Sequence, residues 1–142
     1  GQNIWFEKVS RDNTKMYLAI MVECSPGASI YPEKVFAGIL RSDEWDRINR
    51  SVRIGIDIAP EYRGQGYATE AFSAFIDYLF KQQNMNRIWL LVAEPNKVAK
   101  KLYEKLGFKE EGKQRQALFR DGKYHNYLSM SILEDAWIKN TK

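Results

Sequence analysis

Cysteine, histidine and long hydrophobic runs are nearly missing from this 142-residue sequence, and each shortage excludes a class of protein. The single cysteine, Cys24, has no partner for a disulfide within the chain, which predicts a reducing, cytoplasmic setting. One histidine and one cysteine are too few for a structural zinc site, so we expect no metal. No apolar run approaches the length of a membrane span, and no signal-peptide pattern opens the sequence. We therefore expect no membrane as a partner.

The sequence also lacks a large excess of charge of either sign. The net charge is only +4, and the basic residues are scattered among acidic ones. Nucleic-acid-binding proteins usually concentrate their basic residues in one patch, so we expect no nucleic acid as a partner. A nucleic-acid-binding domain is kept as a third hypothesis. A modest positive balance suits an anionic small ligand equally well.

Length and apolar content predict one folded domain over residues 1–142. Hydrophobic residues make up 44% of the chain, including seven Phe, eight Tyr and four Trp, which is enough to build one core. No internal repeat, low-complexity tract or linker divides the sequence.

Hydrophobic periodicity predicts a mixed sheet with helices packed on it. In chain order it predicts the end of a helix at 4–10, strands at 15–23 and 35–42 around a loop at 24–34, a polar strand-like or turn segment at 43–50, a strand at 51–59, a helix at 66–82, a strand buried on both faces at 87–93, a helix at 96–107, and strands at 108–120 and 123–133. Asp121-Gly122 between the last two strands is a strong hairpin signal. In the helix at 96–107, Val98, Leu102 and Leu106 are expected to line the buried face.

The stretch "YRGQGYATEAF" at 62–72 places a cationic, glycine-rich turn between a strand and a helix. The first amides of a helix have no partner within the helix, and the helix dipole adds partial positive charge there. Gly64 and Gly66 let an anion approach the backbone, and Arg63 adds a guanidinium, so a pyrophosphate is the expected guest. The alternative is a tight turn without a ligand. No Lys-Ser or Lys-Thr completes a P-loop, and Thr69 replaces the third glycine of a dinucleotide fingerprint.

Two blocks of the sequence resemble the GNAT superfamily of N-acetyltransferases. Arg63-x-x-Gly66-x-Ala68 matches its acyl-CoA-binding signature, Q/R-x-x-G-x-G/A, which follows a strand and opens a helix. In "PNKVAKKLYEKLGF", Asn96 and Tyr103 stand seven apart before Gly107-Phe108, as in the superfamily's later block. With the flanking strands, the resemblance covers residues 35–133. The branch with ribosomal-protein N-terminal and spermidine acetyltransferases is the most similar, and bacterial amino-sugar acetyltransferases share these features.

The resemblance implies an α/β fold of the α+β type, with a mostly antiparallel central sheet and flanking helices. It also implies that the usual first strand and helix are missing, by trimming or by nature, and Gly1 in place of Met fits a trimmed chain. Acetyl-CoA is the implied cosubstrate. The implied cosubstrate-binding residues are Ile58, through its backbone, Arg63, Gly64, Gln65, Gly66, Tyr67, Ala68, Thr69 and Asn96. For Asn96 the alternative is a simple helix cap.

The implied reaction moves an acetyl group to an amine, which requires a proton donor for the thiolate and a proton acceptor for the amine. Tyr103 is the candidate donor, and the alternative is a core tyrosine. Relatives often carry Glu where this chain has Arg53, and arginine cannot accept a proton. Asp57 is the candidate acceptor, because it lies on the same strand face, near the expected thioester. The alternative is that Asp57 only pairs with Arg53. Glu44 and Asp46 could accept the proton or attract a cationic amine, or could belong to a solvated turn.

Three acceptors remain open: a protein N-terminus, a polyamine or an amino sugar. A polyamine site needs clustered carboxylates, and "SDEWD" at 42–46 offers three of them. An amino-sugar nucleotide would need more basic residues on the acceptor side. The competing hypothesis is a non-catalytic CoA-binding or sensor module of the same fold. A homodimer is also expected, since dimers are common among the relatives.

Overall fold

The computed structural model describes residues 4–10, 12, 14–23 and 33–140. Cys24 and most of the predicted loop at 24–34 lie outside the described residues. The elements are β1 (Ile4–Lys8), β2 (Met16–Glu23), β3 (Lys34–Asp46), β4 (Ser51–Ile58), α1 (Tyr67–Lys81), β5 (Arg87–Ala93), α2 (Lys97–Leu106), β6 (Lys109–Arg120), β7 (Lys123–Leu133) and α3 (Glu134–Asn140).

The seven strands form one sheet in the order β1-β2-β3-β4-β5-β7-β6. Every neighbouring pair is antiparallel except β4 and β5, which are parallel. Parallel neighbours need a crossover connection, and α1 supplies it. The predicted mixed, mostly antiparallel sheet with flanking helices is confirmed.

Helix α1 buries one apolar face in the core. Phe72, Ile76 and Leu79 have no exposed surface, as their three- and four-residue spacing predicts. In β4 the strict alternation holds as well: Val52 and Ile54 are buried, while the opposite face of the strand is polar. This polar face borders the cleft described below.

The N-terminal segment is a strand, so the helix end predicted at 4–10 was wrong. β1 pairs antiparallel with β2, from Ile4 opposite Val22 to Lys8 opposite Leu18. A β-branched residue and two aromatic residues open the segment, and such residues pack well on a pleated surface. Pairing with β2 supplies the backbone partners that a short helix would have had to find internally.

Two local predictions also need correction, and a third, which left 43–50 open between strand and turn, is confirmed as both. β5 alternates between buried and half-buried residues, so it is not buried on both faces, because its second face borders an open cleft. In α2, Val98 was predicted to line the buried face but is 82% exposed. The buried residues of this helix are Tyr103 and Leu106. β3 continues to Asp46, so the polar segment at 43–50 is a strand end followed by a turn.

Helix α3 was not predicted from the sequence. Glu134 and Asp135 in its first turn suit the positive end of a helix dipole and could have indicated it. Its Trp137 is buried against Phe80 of α1, with ring centroids 6.4 Å apart, and donates a hydrogen bond from Nε1 to Asp77 at 3.0 Å.

Gly38 allows β3 to approach β4 closely. A Cβ atom built there would overlap the carbonyl oxygen of Asp57 and come within 3.1 Å of the Ile58 Cα atom. Because backbone atoms cannot give way as a side-chain tip can, we expect Gly38→Ala to lower the free energy of unfolding by about 1–3 kcal/mol. Urea denaturation measures this.

Gly112→Ala in β6 is the matched control, because an added Cβ there meets nothing within 4 Å. Equal stability of the two variants would contradict a close approach of the β3 and β4 backbones at Gly38.

Candidate active site

The sheet opens between β4 and β5. The two strands pair only from Ser51–Arg87 to Arg53–Trp89, and residues 54–58 and 90–93 have separated beyond that point. A cleft of about 460 Å³ lies there, lined from both strands and from α2. The gap leaves backbone groups of β4 without a strand partner on this side. An extended ligand arm with its own amides can pair with them as an added strand would.

The turn after β4 leads directly to the N-terminus of α1. Gly66 is the N-cap, with φ of 85°, and no side chain caps the helix. Gly64 also has a positive φ, 75°, and an added Cβ there would meet nothing within 4 Å. The first helical hydrogen bond runs from the Glu70 amide to the Gly66 carbonyl. The amides of 67–69 therefore have no partner one turn earlier and form a positive, accessible helix end.

Arg63 is fixed beside this helix end. Its Nε donates to the Ile58 carbonyl at 2.9 Å, which ties the guanidinium to the end of β4 while the side chain stays exposed. The side-chain Nε2 of Gln65 donates a hydrogen bond to the Glu61 carbonyl at 3.0 Å. Tyr67, Ala68 and Thr69 form the first turn of α1 and are half-buried. The structure therefore brings the predicted cosubstrate-binding residues 63–69 and the backbone of Ile58 together at one place.

Asn96 caps α2 and also lines the cleft. Its Oδ1 accepts a hydrogen bond from the Ala99 amide at 3.1 Å, so the cap alternative is confirmed. Capping uses only the side-chain oxygen. The Nδ2 group keeps two donors that capping does not use. Binding of the cosubstrate by Asn96 is therefore compatible with its capping role.

Tyr103 lines the cleft from α2 and is only 8% exposed. Its ring contacts Phe72 and Phe108, with centroids 5.7 and 6.0 Å away. Burial raises the pKa of the Tyr103 phenol, the Asp57 carboxylate raises it further, and Arg41 opposes the shift. The phenol consequently holds its proton throughout the neutral range.

Two arginine–aspartate pairs cross from β3 to β4 along the cleft. Arg41 Nη2 lies 3.0 Å from Asp57 Oδ2, although the Asp57 side chain is 67% exposed. Arg53 binds Asp43 through two hydrogen bonds of 2.7 and 2.8 Å. The hydrogen bonds from Arg53 lower the pKa of Asp43. The alternative that Asp57 pairs with Arg53 was wrong, because the strand register places Arg41 beside Asp57 instead.

Glu44 and Asp46 do not line the cleft. Asp46 accepts hydrogen bonds from the backbone amide and the side chain of Asn49, at 2.8 and 2.7 Å, and so closes the turn after β3. The Asn49 amide and side chain lower the pKa of Asp46. Glu44 is exposed, with φ of 50°, at the irregularity in β3. Asp46 therefore belongs to the turn, as its alternative predicted, whereas Glu44 lies on the exposed end of β3.

Sequence reasoning missed several residues of the cleft. Arg41 reaches it only because β3 pairs with β4 in this register, and Arg120 and Tyr127 only because the β6–β7 hairpin lies at its other wall. No local signal marks such placements. Only the charge of these side chains, within or beside predicted strands, hinted at a polar face.

Neither a metal site nor a membrane span is found in the part of the chain that the structure describes. Within residues 4–10, 12, 14–23 and 33–140, no group of three His, Cys, Asp or Glu side chains could hold a metal ion. Over the same residues, no helix combines the length and the apolar character that crossing a membrane requires.

Comparison with known proteins points to one family. The family model described as an acetyltransferase (GNAT) domain matches residues 2–109. The Bacillus subtilis protein YdaF, which carries the name of a ribosomal N-acetyltransferase, is 34% identical over 100 residues, covering 70% of this chain and 55% of YdaF. Spermidine N(1)-acetyltransferase of Escherichia coli is 34% identical over 106 residues, covering 75% and 57%. The chain thus spans little more than half the length of these relatives.

Solved structures agree with the sequence comparison. The spermidine N-acetyltransferase of Vibrio cholerae, in a structure described as dodecameric, superposes with a TM-score of 0.81 at 30% identity. The match covers 92% of this chain and 71% of that one.

Proposed function

This chain belongs to the GNAT family of acetyltransferases, and on that premise we propose that it transfers the acetyl group of acetyl-CoA directly to a primary amine. One observation supports the proposal above the others. The structure has, in order, the uncapped N-terminus of α1, the gap between β4 and β5, and the buried Tyr103 at that gap. This order matches the diphosphate, the pantetheine arm and the thioester of one extended acetyl-CoA.

The cosubstrate fits the groups that are present. We propose that the amides of 64–69 and the Arg63 guanidinium bind its diphosphate, since the helix end is positive and uncapped. The backbone of Ile58 and its neighbours, together with Asn96, would hold the pantetheine arm in the gap. Acetyl-CoA itself supplies the thioester. Backbone amides at the end of β4 are suitable donors for the negative charge that develops on its carbonyl oxygen.

Tyr103 would act as the general acid. Its raised pKa keeps the hydroxyl protonated, and no described residue forms a hydrogen bond with that hydroxyl. As the acetyl carbon–sulfur bond breaks and the bond to the amine nitrogen forms, Tyr103 gives its proton to the sulfur. The amine loses one proton in the same reaction.

Asp57 would accept the proton of the amine, directly or through water. It lies on the polar face of β4 and lines the same cleft as Tyr103. Asp43 is the less suitable proton acceptor. Two hydrogen bonds from Arg53 occupy both its oxygens and lower its pKa, which makes it a weaker base. Arg41 orients Asp57 without occupying both oxygens.

An acceptor screen tests the proposal. Each assay would contain the chain, acetyl-CoA and one amine. The amines are spermidine, glucosamine, glucosamine 6-phosphate and a short peptide with a free N-terminus. Thiol release would be followed against an amine-free control. We expect release that depends on at least one amine. Thermal stabilisation by CoA without amine-dependent release would favour the non-catalytic CoA-binding module instead.

Cytoplasmic location and a homodimer stay predictions. The dodecamer described for the Vibrio cholerae relative makes self-association of this chain a reasonable extension of the proposal.

A further inference from the structure

Positive charge exceeds negative charge in the cleft. Three arginines and two aspartates line it: Arg41, Arg53, Arg120, Asp43 and Asp57. Both aspartates are already paired, Asp57 with Arg41 and Asp43 with Arg53. The carboxylates that a polyamine would need are therefore neutralised, and "SDEWD" contributes only Asp43 to the cleft.

Arg120 is the cationic side chain of the cleft that lacks a carboxylate partner. Among the described residues, no Asp or Glu lies within ion-pair distance of its guanidinium. Its surroundings reinforce the charge. From residue 113 to residue 125 the hairpin contains four Lys or Arg and a single carboxylate, Asp121.

An irregularity in β6 places Arg120 at the cleft. The strand pairing shifts between Gln114 and Leu118, and Gln116 in that bulge has φ of 52°. The Gln116 amide donates to Asn126 Oδ1 at 2.9 Å, which fixes the bulge to β7. Bulges bend a strand and redirect the side chains beyond them. Beyond this bulge, Arg120 reaches the cleft from the wall opposite the two arginine–aspartate pairs.

We propose that the amine acceptor carries an oxyanion, a phosphate or a carboxylate, and that Arg120 binds it. This rests on the proposed function and narrows its substrate class. A guanidinium recognises either oxyanion with paired hydrogen bonds. The paired arginines have less to offer an incoming anion, because Asp43 and Asp57 already bind them. A polyamine, which carries only positive charge, meets a net positive cleft.

Matched pairs of acceptors test the inference and separate the two oxyanions. Glucosamine 6-phosphate against glucosamine tests phosphate, 4-aminobutanoate against 4-aminobutanamide tests carboxylate, and spermidine is the polycation. We expect kcat/KM to favour the anionic member of at least one pair. In Arg120→Gln that preference should fall about tenfold to a hundredfold, mainly through the KM of the acceptor, while the KM of acetyl-CoA stays unchanged.

Arg115→Gln is the control, because it removes the same charge from the same hairpin outside the cleft. It should keep the preference, and Arg120→Lys should restore part of it. Equal rates within both pairs, a preference for spermidine, or a rise in the KM of acetyl-CoA in Arg120→Gln would each overturn the inference.

Calorimetry separates failure of the inference from failure of the proposed function. Glucosamine 6-phosphate and 4-aminobutanoate, with their neutral partners, would be titrated into the CoA-saturated chain and its Arg120→Gln variant. Selective binding of an anion that Arg120→Gln abolishes, without turnover of any amine, would refute catalysis and leave the anion site standing. Turnover without any selectivity for an anionic acceptor would refute the anion site and leave catalysis standing.

Discussion

Tyr103→Phe is expected to lower kcat by about a hundredfold or more, in the range that loss of a general acid costs. The change deletes one oxygen and keeps the ring that packs against Phe72 and Phe108, so the fold should survive. The KM of acetyl-CoA should change little, since the hydroxyl acts on the sulfur only as it leaves. Steady-state thiol release measures both constants.

The alkaline side of the pH profile gives a second readout. Burial raises the pKa of the Tyr103 phenol above its ordinary value of 10.0, so the acid form dominates below pH 10. Deprotonation of this group should therefore cause no loss of kcat between pH 7 and pH 9.

Tyr124→Phe is the control, because its hydroxyl is on an exposed side chain outside the cleft. It should behave like the wild type. A Tyr103→Phe enzyme with wild-type kcat would exclude the phenol as the acid and return Tyr103 to a core residue.

Gly66→Asp is expected to raise the Kd of CoA about a hundredfold or more. Its carboxylate would stand at the uncapped end of α1, where the diphosphate is proposed to bind, and like charges at one site cost several kcal/mol. Gly66→Asn introduces a side chain of nearly the same shape as that of Gly66→Asp, but without the charge. Both side chains tolerate the positive φ of this position better than most residues, so backbone strain should be similar.

The comparison of these two variants isolates the charge. We expect Gly66→Asn to weaken CoA binding by about tenfold at most, and thermal unfolding should show both variants folded. Calorimetric titration with CoA gives the two constants. Equal effects of Asp and Asn would mean that sterics, rather than a phosphate at this helix end, explain the result.

The parts of the fold that local chemistry determines were predictable. Periodicity located α1, Asn96 and Gly107 marked the ends of α2, and Asp121-Gly122 marked the hairpin. Each of these signals lies within a few residues of the feature it determines, and backbone sterics or capping connects the two.

Features that depend on long-range pairing were not predictable. β1 is a strand because β2 lies beside it, and periodicity within residues 4–10 could not reveal that neighbour. Asp57 pairs with Arg41 because Arg41 stands opposite Gly55, which requires the register of β3 and β4. Arg120 reaches the cleft through a bulge that is held by Asn126. In the candidate site, residues 63–69 and Asn96 were therefore predictable from local sequence, and the wall lined by Arg41 and Arg120 was not.

A crystal structure of the chain with CoA tests the central claim most directly. We predict diphosphate oxygens within hydrogen-bond distance of the amides of 64–69, and the pantetheine arm between β4 and β5 with its sulfur near the Tyr103 hydroxyl. A coenzyme bound elsewhere on the molecule, or a diphosphate that makes no contact with the N-terminus of α1, would contradict the account.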